Sequence, residues 1–453
     1  MQIQTSRTLP SYAWTTYLSC LMLALFLAGC QGLFDDLDVD SDAPNNEEAP
    51  NQTNGGSPNQ TNNSQNGDAC SDTEVNDFHC GSCDNACAYD QFCRAGQCNP
   101  MRMAFDTIGD NSFDDGSGWV GTHSALAFDD DEAMHIIYMR DGHLHHAHRE
   151  ASGDWSFETL VELDDDPGTP SGVFRWPSTA FDHQGRLHLT FLERGNLSHA
   201  IYEDEDWNFH HQLSTEMVGQ HMTDHSMVID TEGHLHAVVG TNASTMHHLS
   251  SDGGNWSHAF IDEANLGADS PRHPHTAAGL NADLHTVFTS SDDDFLHHAQ
   301  FIDQQWTDAS IGDARGAQSF MRIAVDDTGA LHVAFVGQPS TGNGALYYAH
   351  RPSGESADWS TEQVTTGHAL NLTMTMALDN HRRPHIAFVE SDGQSNRDLH
   401  YARKTGDDWL LRDIDTDVDI PQGSHITLQI DRFGHPHLLY PDPGPDLVYA
   451  TIE

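Results

Sequence analysis

Lysine is all but missing from this chain of 453 residues: Lys404 is its one copy. Lysine and arginine together number 19 against 69 aspartates and glutamates, a formal net charge of −50. Such a chain repels nucleic acid and has no basic stripe to overcome the repulsion, so nucleic acid is excluded as a partner. Charge will not hold it on an anionic bilayer either. A surface this acidic suits a salty medium that screens self-repulsion. Long apolar runs are also scarce: Tyr17 to Ala28 is too brief to span a bilayer comfortably. Cysteine stops at Cys98. Core-forming residues are plentiful, with 37% apolar content, 9 Trp, 20 Phe and 10 Tyr, which excludes disorder for most of the chain.

Residues 1–29 read as an export signal, with a thin basic start at Arg7 and the apolar run ending in Leu27-Ala28-Gly29-Cys30. That string resembles the lipobox of bacterial lipoproteins. The resemblance implies that Cys30 is lipidated and becomes the first mature residue. Gln31 after it, in place of Asp, implies the outer membrane, on either its periplasmic or its external side. Several acyl chains anchor stably, at roughly 0.8 kcal/mol per buried CH₂. The alternatives are an ordinary signal peptide and a short anchor.

Residues 30–69 are acidic and rich in Asn, Gln, Ser, Gly and Pro, a composition expected to stay a disordered tether. Asp36, Asp38, Asp40 and Asp42 alternate there but lack the glycine a calcium loop needs, so they read as a solvated charge run. Residues 70–99 hold Cys70, Cys80, Cys83, Cys87, Cys93 and Cys98. An even count in a short exported segment reads as disulfides whose pairing stays open. Zinc on Cys80, Cys83 and Cys87 is the alternative. The run His79-Cys80-Gly81-Ser82-Cys83, then Asn85-Ala86-Cys87, Cys93 and Gly96-Gln97-Cys98 resembles a small module of secreted myxobacterial proteins. A stiff spacer is what that resemblance implies.

From residue 100 to 453 one pattern recurs. An Asp stands six residues before a His in Asp129/His135, Asp182/His188, Asp230/His236, Asp326/His332, Asp379/His385 and Asp431/His437. A seventh copy keeps His285 but has Gly279 in the Asp place. The histidines fall about fifty residues apart, the scale of a propeller blade. Each copy continues with a segment such as Leu144-His145-His146-Ala147 or Leu346-Tyr347-Tyr348-Ala349. In six copies a Trp follows: Trp155, Trp207, Trp256, Trp306, Trp359 and Trp409. Four short strands per copy, named A to D from the axis outward, predict an all-β fold, a seven-bladed β-propeller. The seventh copy stops after its third strand, and Met101 to Ile108 matches the missing fourth. The last blade is therefore expected to be closed by the N-terminal strand, which removes an open edge.

Marks that recur in every blade read as scaffold, because chemistry is confined to one place. The Asp accepts from amides of a tight A–B turn, and the His opens strand B beside it. On strand C, His143, His145, His146 and His148 alternate, two to a face, a spacing that can take zinc or nickel. Tyr347 and Tyr348 at the equivalent place make them aromatic fillers instead, and no cofactor is expected.

Up-and-down strands put the D–A and B–C connections at one end of the propeller, and ligands of propellers usually sit where the D–A loops converge on the axis. The residues entering strand A differ from copy to copy and concentrate scarce arginine. The candidate ligand-binding residues are His123, Arg175, Trp176, Arg272, His273, His275, Arg322 and His425. Such a cluster in an acidic molecule suits a carboxylate, sulfate or sugar. Phe174-Arg175-Trp176-Pro177 resembles the Phe-Arg-Ile-Pro motif of sialidases, and Ser250-x-Asp252-x-Gly254-x-Trp256 resembles a degraded Asp-box. The whole blade pattern resembles the BNR and sialidase-like repeats of bacterial surface lipoproteins. This implies that Arg175 grips a carboxylate, with Arg272 and Arg322 completing a triad. A Tyr–Glu nucleophile pair and an acid Asp are not assignable. The expected function is a membrane-anchored, non-catalytic propeller that binds carbohydrate or protein ligands at the cell envelope. The alternatives are a sialidase-like glycosidase or polysaccharide lyase at the D–A face, and an assembly scaffold without a small ligand. A glycosidase needs two carboxyls about 5–10 Å apart.

Overall fold

The second segment of each repeat is apolar almost throughout, as in Leu331-His332-Val333-Ala334-Phe335-Val336-Gly337, whereas the fourth alternates with polar residues. The first pattern suits a strand covered on both faces, the second a strand with one wet face. A computed structural model of the chain shows both. It describes residues 91–94, 97–100, 103–108 and 123–452, apart from 141–142, 151–152, 162–173, 214–217, 253–255, 262–270, 291–294, 316–319, 338–343, 355–357, 366–372, 392–396, 416–419, 421–423 and 443–446. Leu331–Gly337 is buried along its whole length, while the outer strand Trp155–Val161 is largely exposed.

The strands form seven four-stranded antiparallel sheets and one small hairpin. Blade one consists of Ser124–Phe128, Met134–Arg140, His143–Arg149 and Trp155–Val161 as strands A to D. In blade seven the strands are Thr427–Ile430, Pro436–Pro441, Leu447–Ile452 and, as the fourth, Met103–Ile108. Met103 pairs with Ile452 and Ile108 with Leu447. The expected closure is thus present. Ile108 packs with Leu439 and Leu447 of blade seven and with Leu126, Ile136 and Tyr138 of blade one. The strand therefore fills the core at the seam as well as the ladder. The A strands touch in sequence around the ring, that of blade seven against that of blade one. Thr427 Oγ1 donates to the Ser124 carbonyl at 2.9 Å across this junction.

The hairpin pairs Gln91–Arg94 with Gln97–Pro100 and sets Cys93 opposite Cys98 in backbone register. The leader, Cys30, the tether and Cys70, Cys80, Cys83 and Cys87 lie outside the described residues, as do the side chains of Cys93 and Cys98.

The recurrent Asp organises the A–B turn. In blade two Asp182 Oδ1 accepts from the Gln184 and Arg186 amides, both at 2.9 Å. Its other oxygen lies 3.2 Å from His188 Nε2, and His188 Nδ1 lies 3.0 Å from His199 Nε2 on strand C. A carboxylate only accepts, so His188 carries its hydrogen on Nε2 and receives one from His199 at Nδ1. In blades five, six and seven a tyrosine hydroxyl replaces the second imidazole: Tyr348, Tyr401 and Tyr449 lie 2.6, 2.5 and 2.6 Å from His332, His385 and His437. Histidine and tyrosine are interchangeable here because each offers one donor on a flat ring. That ring is then covered by the strand-D Trp of the next blade, as His199 is by Trp256 and Tyr348 by Trp409.

Blade four shows how Gly279 is tolerated. A Cβ there would meet Asp283 Oδ1 at 2.1 Å, so the Asp283 carboxylate already fills the vacant place. Its Oδ2 takes His285 Nε2 at 3.1 Å. Blade one runs the relay backwards. Glu158 Oε1 lies 2.8 Å from His146 Nδ1, so the hydrogen is on that nitrogen and His146 Nε2 accepts from His135 Nδ1 at 3.1 Å.

Replacing His188 by Ala leaves Asp182 Oδ2 and His199 short of a buried partner. We expect a loss of about 1–3 kcal/mol in urea unfolding, with ligand binding at the opposite end of the propeller unchanged. A variant of full stability that has lost binding would make the repeated histidines functional.

Candidate functional site

Counting back from the strand-B histidine orders the wall of the axis. The residue ten before it is Ala125, Ser178, Ser226, His275, Arg322, Thr375 or Thr427 in blades one to seven. The ladders set Ser178 opposite Thr190, Ser226 opposite Val238, His275 opposite Val287 and Arg322 opposite Ala334, always two past the histidine. All seven line one axial cavity of about 280 Å³. Five are small, so the channel at this level is left to His275 and Arg322 on adjacent blades. Two residues nearer the D–A loops stand His123, Trp176, Asp224, His273, Phe320, Thr373 and His425. All of these but Thr373 line the same cavity. The result is a funnel with a mouth of rings and a floor of small polar groups plus one guanidinium.

Six of the eight candidates therefore meet: His123, Trp176, His273, His275, Arg322 and His425. Arg272 does not join them. It is exposed, and its Nε donates to Ser244 Oγ at 3.2 Å. Arg175 holds the same offset in blade two, thirteen before its histidine, and its side chain lies outside the described residues. The arginine triad implied by the sialidase motif is thus not assembled from Arg272 and Arg322. Asp224, His225 and Phe320 complete the lining instead.

Local backbone explains how the rings reach inward. The A–B ladders of blades two and four slip between Arg175 and Ser178 and between Arg272 and His275. At these bulges Trp176 has φ 59° and His273 φ 55°. Both precede a proline, Pro177 and Pro274, which disfavours the right-handed helical region for the residue before it. A left-handed conformation costs an ordinary residue about 1–2 kcal/mol, and strain of this kind gathers at functional sites. Here it turns an indole and an imidazole into the channel. In blade three a bulge between Met222 and Asp224 does the same for a carboxylate. The opposing residue must be Gly240, because a Cβ there would meet Asp224 Oδ1 at 2.2 Å.

Three imidazoles of the funnel, His225, His275 and His425, are pushed toward the neutral form. Burial pushes His225 down to about 4, and its Nε2 lies 2.9 Å from Thr190 Oγ1. Burial and the Arg322 charge push His275 well below the usual imidazole range. The Ile323 amide donates to His275 Nδ1 at 3.3 Å, so the hydrogen sits on Nε2. Burial, with His123 and Arg322 nearby, also pushes His425 down. His425 stacks on His123 at 4.9 Å and meets the Trp176 edge at 4.2 Å. Among the described residues, Trp176 Nε1, His225 Nδ1 and His425 Nε2 are buried without a hydrogen-bond partner, an unusual concentration of unmet polar atoms in one cavity. Arg322 is the single cation of the described lining, and burial lowers it to about 10. Its Nη1 donates to the Met321 carbonyl at 2.9 Å. Among the described residues no carboxylate forms an ion pair with it. Asp224 pairs with His273 instead, Oδ2 to Nδ1 at 3.3 Å.

A solved structure shares this architecture. The lectin BP39L of Burkholderia pseudomallei superposes with TM-score 0.54 at 14% identity, over 74% of this chain and 96% of its own. A polysaccharide lyase described as an ulvan lyase bound to -[GlcA(1-4)Rha3S]- gives 0.49 at 8% identity, over 71% and 92%. The Aleuria aurantia lectin in complex with Fucalpha1-6GlcNAc gives 0.43 at 13% identity, over 66% and 97%. The likeness to the first is one of fold. No protein-family model and no curated protein sequence matches the chain.

One guanidinium, imidazole donors and a flat indole can hold an anionic, hydroxyl-rich group from several sides. Hydrolysis by paired carboxyls finds one carboxylate, Asp224, among the described lining residues.

Proposed function

We propose that this chain is a non-catalytic carbohydrate-binding propeller, held at the outer membrane by lipid on Cys30 and set off from it by the tether and the cysteine-rich spacer. Its ligand is an acidic glycan whose terminal or branch sugar enters the axial funnel. One observation carries the reading. In a protein of net charge −50, a desolvated arginine without a carboxylate partner among the described residues lies at the floor of a cavity lined by rings. An anionic group supplies the missing counter-charge, and arginine's planar fork matches a carboxylate or sulfate. Trp176 offers a face for stacking against the sugar.

The test is a glycan array with the intact protein, followed by titration of whichever acidic glycan scores. Arg322→Met keeps the volume and removes the charge. We expect about a tenfold to hundredfold loss of affinity, the worth of a charge-assisted hydrogen bond. Neutral glycans should bind the variant and the parent alike, and the melting temperatures should agree closely. Equal affinity for the acidic glycan in both proteins would move the site off the axis.

A second reading draws on the Asp224–His273 contact. An imidazole oriented by a carboxylate is the form of a general base, and with Arg322 neutralising a uronate it would suit β-elimination in place of hydrolysis. The parent protein would then generate unsaturated uronate ends, seen as new ultraviolet absorbance, and a binding module would not.

A further inference from the structure

A second site lies outside the funnel, at the A–B turn of blade three. Its sequence is Asp230-Thr231-Glu232-Gly233-His234-Leu235-His236, with acids and imidazoles at alternate positions. The turn brings them together as follows. Asp230 Oδ1 accepts from the Glu232 and His234 amides at 2.9 and 2.8 Å, which fixes the carboxylate. Its Oδ2 then lies 3.2 Å from His234 Nδ1 and 3.0 Å from His236 Nε2. All three atoms fall within 4.8 Å of one another. Glu232 Oε2 is 3.6 Å from His234 Nδ1 on the solvent side.

The other blades show what this place ordinarily holds. In blades two and six the residue four after the Asp is Arg186 or Arg383, whose Nε donates to the carboxylate at 2.7 and 2.6 Å. A full positive charge faces Oδ2 there. Blades one and five have Ala133 and Ala330 at the position. Blade three has an imidazole in place of the guanidinium and adds Glu232. Two carboxylates and two imidazoles converge there, and among the described residues no Lys or Arg pairs with them.

We propose that Asp230 Oδ2, His234 Nδ1 and His236 Nε2 bind a zinc-class divalent transition ion, which supplies the charge that arginine supplies in blades two and six. Ligand atoms about 2.0–2.1 Å from zinc in a tetrahedron stand about 3.3 Å apart, close to the two Oδ2 separations here. Imidazole with carboxylate favours zinc, nickel or copper over magnesium or calcium. His236 Nδ1 lies 2.9 Å from His248 Nε2, so the ring is already held by a partner on its far side, as metal-bound histidines are. Ligation needs the His236 hydrogen on Nδ1. His248 accepts it when its own hydrogen moves to Nδ1, so the rearrangement releases no net proton. Three protein ligands leave a fourth position toward solvent, which Glu232 or water fills. His234 is 41% exposed, which gives the ion a way in.

Blade seven repeats the residue types in Asp431, His435 and His437, with Oδ2 at 2.9 and 3.3 Å from the two imidazoles. Phe433 stands there where blade three has Glu232, so the second carboxylate is replaced by an apolar ring. It therefore serves as an internal control.

The experiment titrates Co²⁺, then Zn²⁺, into the intact oxidised protein and into His234→Arg and His435→Arg. The first variant installs the arrangement native to blades two and six, so the fold is expected to survive, and a thermal melt without metal checks this. The parent should take up one more tight equivalent than His234→Arg, with visible cobalt bands of four-coordinate intensity that zinc displaces. Zinc should raise the melting temperature of the parent and of His435→Arg but not that of His234→Arg. Equal stoichiometry and spectra in parent and His234→Arg would overturn the proposal. So would a parent with no tight equivalent, or the same loss in His435→Arg.

Discussion

Lowering the pH from 7 to about 4.5 should unfold this propeller, before Asp182, Asp283 and Asp326 of its turns are titrated. Six buried histidines carry the effect. Burial pushes His135, His199 and His248 down to about 3, and His225, His332 and His385 to about 4. Their unfolded value is near 6.5. A group whose folded pKa is lowered binds its proton more tightly in the unfolded chain. Its contribution is complete above about pH 6.5 and drains away as the pH falls toward the folded value. At pH 5 each such histidine has lost about 2 kcal/mol, and six together match the whole stability of an ordinary domain, about 5–15 kcal/mol. The aspartates of the turns act in the same sense but later. Asp182, Asp283 and Asp326 are held down to about 2 by the amides and rings that bond them, so their share is lost only below pH 4. Urea melts at pH 8, 6, 5 and 4 measure the curve. A native tryptophan spectrum and an unchanged urea midpoint at pH 4 would mean that the rings are hydrated or charged in the fold. The tyrosine blades offer a direct comparison. Tyr348 and Tyr401 do the work of His199 and His248 without a proton to gain. His199→Tyr with His248→Tyr should therefore move the acid midpoint downward by several tenths of a pH unit.

That interchange also shows why the fold was legible in the sequence. Asp, His, a donor ring and Trp recur at fixed offsets because each blade needs the same turn, bond and cover. Counting them gives the blades, and the missing fourth strand gives the closure. Gly279 looked like a lapse in the pattern, since Asp283 fills the place from a different position that no count of six detects.

The funnel was legible in part, and the reason is parity. On a strand, side chains two apart share a face. Arg322 lies ten residues before His332 and Asp224 twelve before His236, both even offsets with no bulge between them and the histidine, and both line the cavity. In blade four the bulge between Arg272 and His275 breaks the count, so no offset foretells that His273 turns in while Arg272 is exposed. Asp224 and Phe320 sit at offset twelve and follow from the same count. The trio Asp230, His234 and His236 is hidden in the sequence for another reason: Asp230 and His236 carry the mark common to the blades, and nothing in one blade sets His234 apart until Arg186 and Arg383 are placed beside it.

Deleting residues 101–110 from the otherwise intact chain should cost several kcal/mol and open an edge. The deletion removes strand Met103–Ile108 from the ladder of blade seven and Ile108 from the core between blades seven and one. Leu447–Ile452 then becomes an open edge carrying Leu447, Tyr449 and Ile452, which are buried in the closed ring. Backbone hydrogen bonds lost at about 0.5–1.5 kcal/mol each, with about 1.5–3 kcal/mol for Ile108, sum to several kcal/mol. For a domain of this size that lowers the melting temperature by about 5–10 °C. The bare edge should also recruit a second chain, so dimers or larger species are expected on size exclusion. A synthetic peptide of the deleted sequence separates loss of the strand from general damage. Added in excess, it should occupy the edge by strand addition, restore the monomer and recover much of the melting temperature. A scrambled peptide of the same composition should do neither. A deletion protein that stays monomeric and melts with the parent would show that the seam is held by the A strands and their Thr427–Ser124 bond alone. A peptide without effect on a destabilised deletion protein would place the loss elsewhere than in that edge.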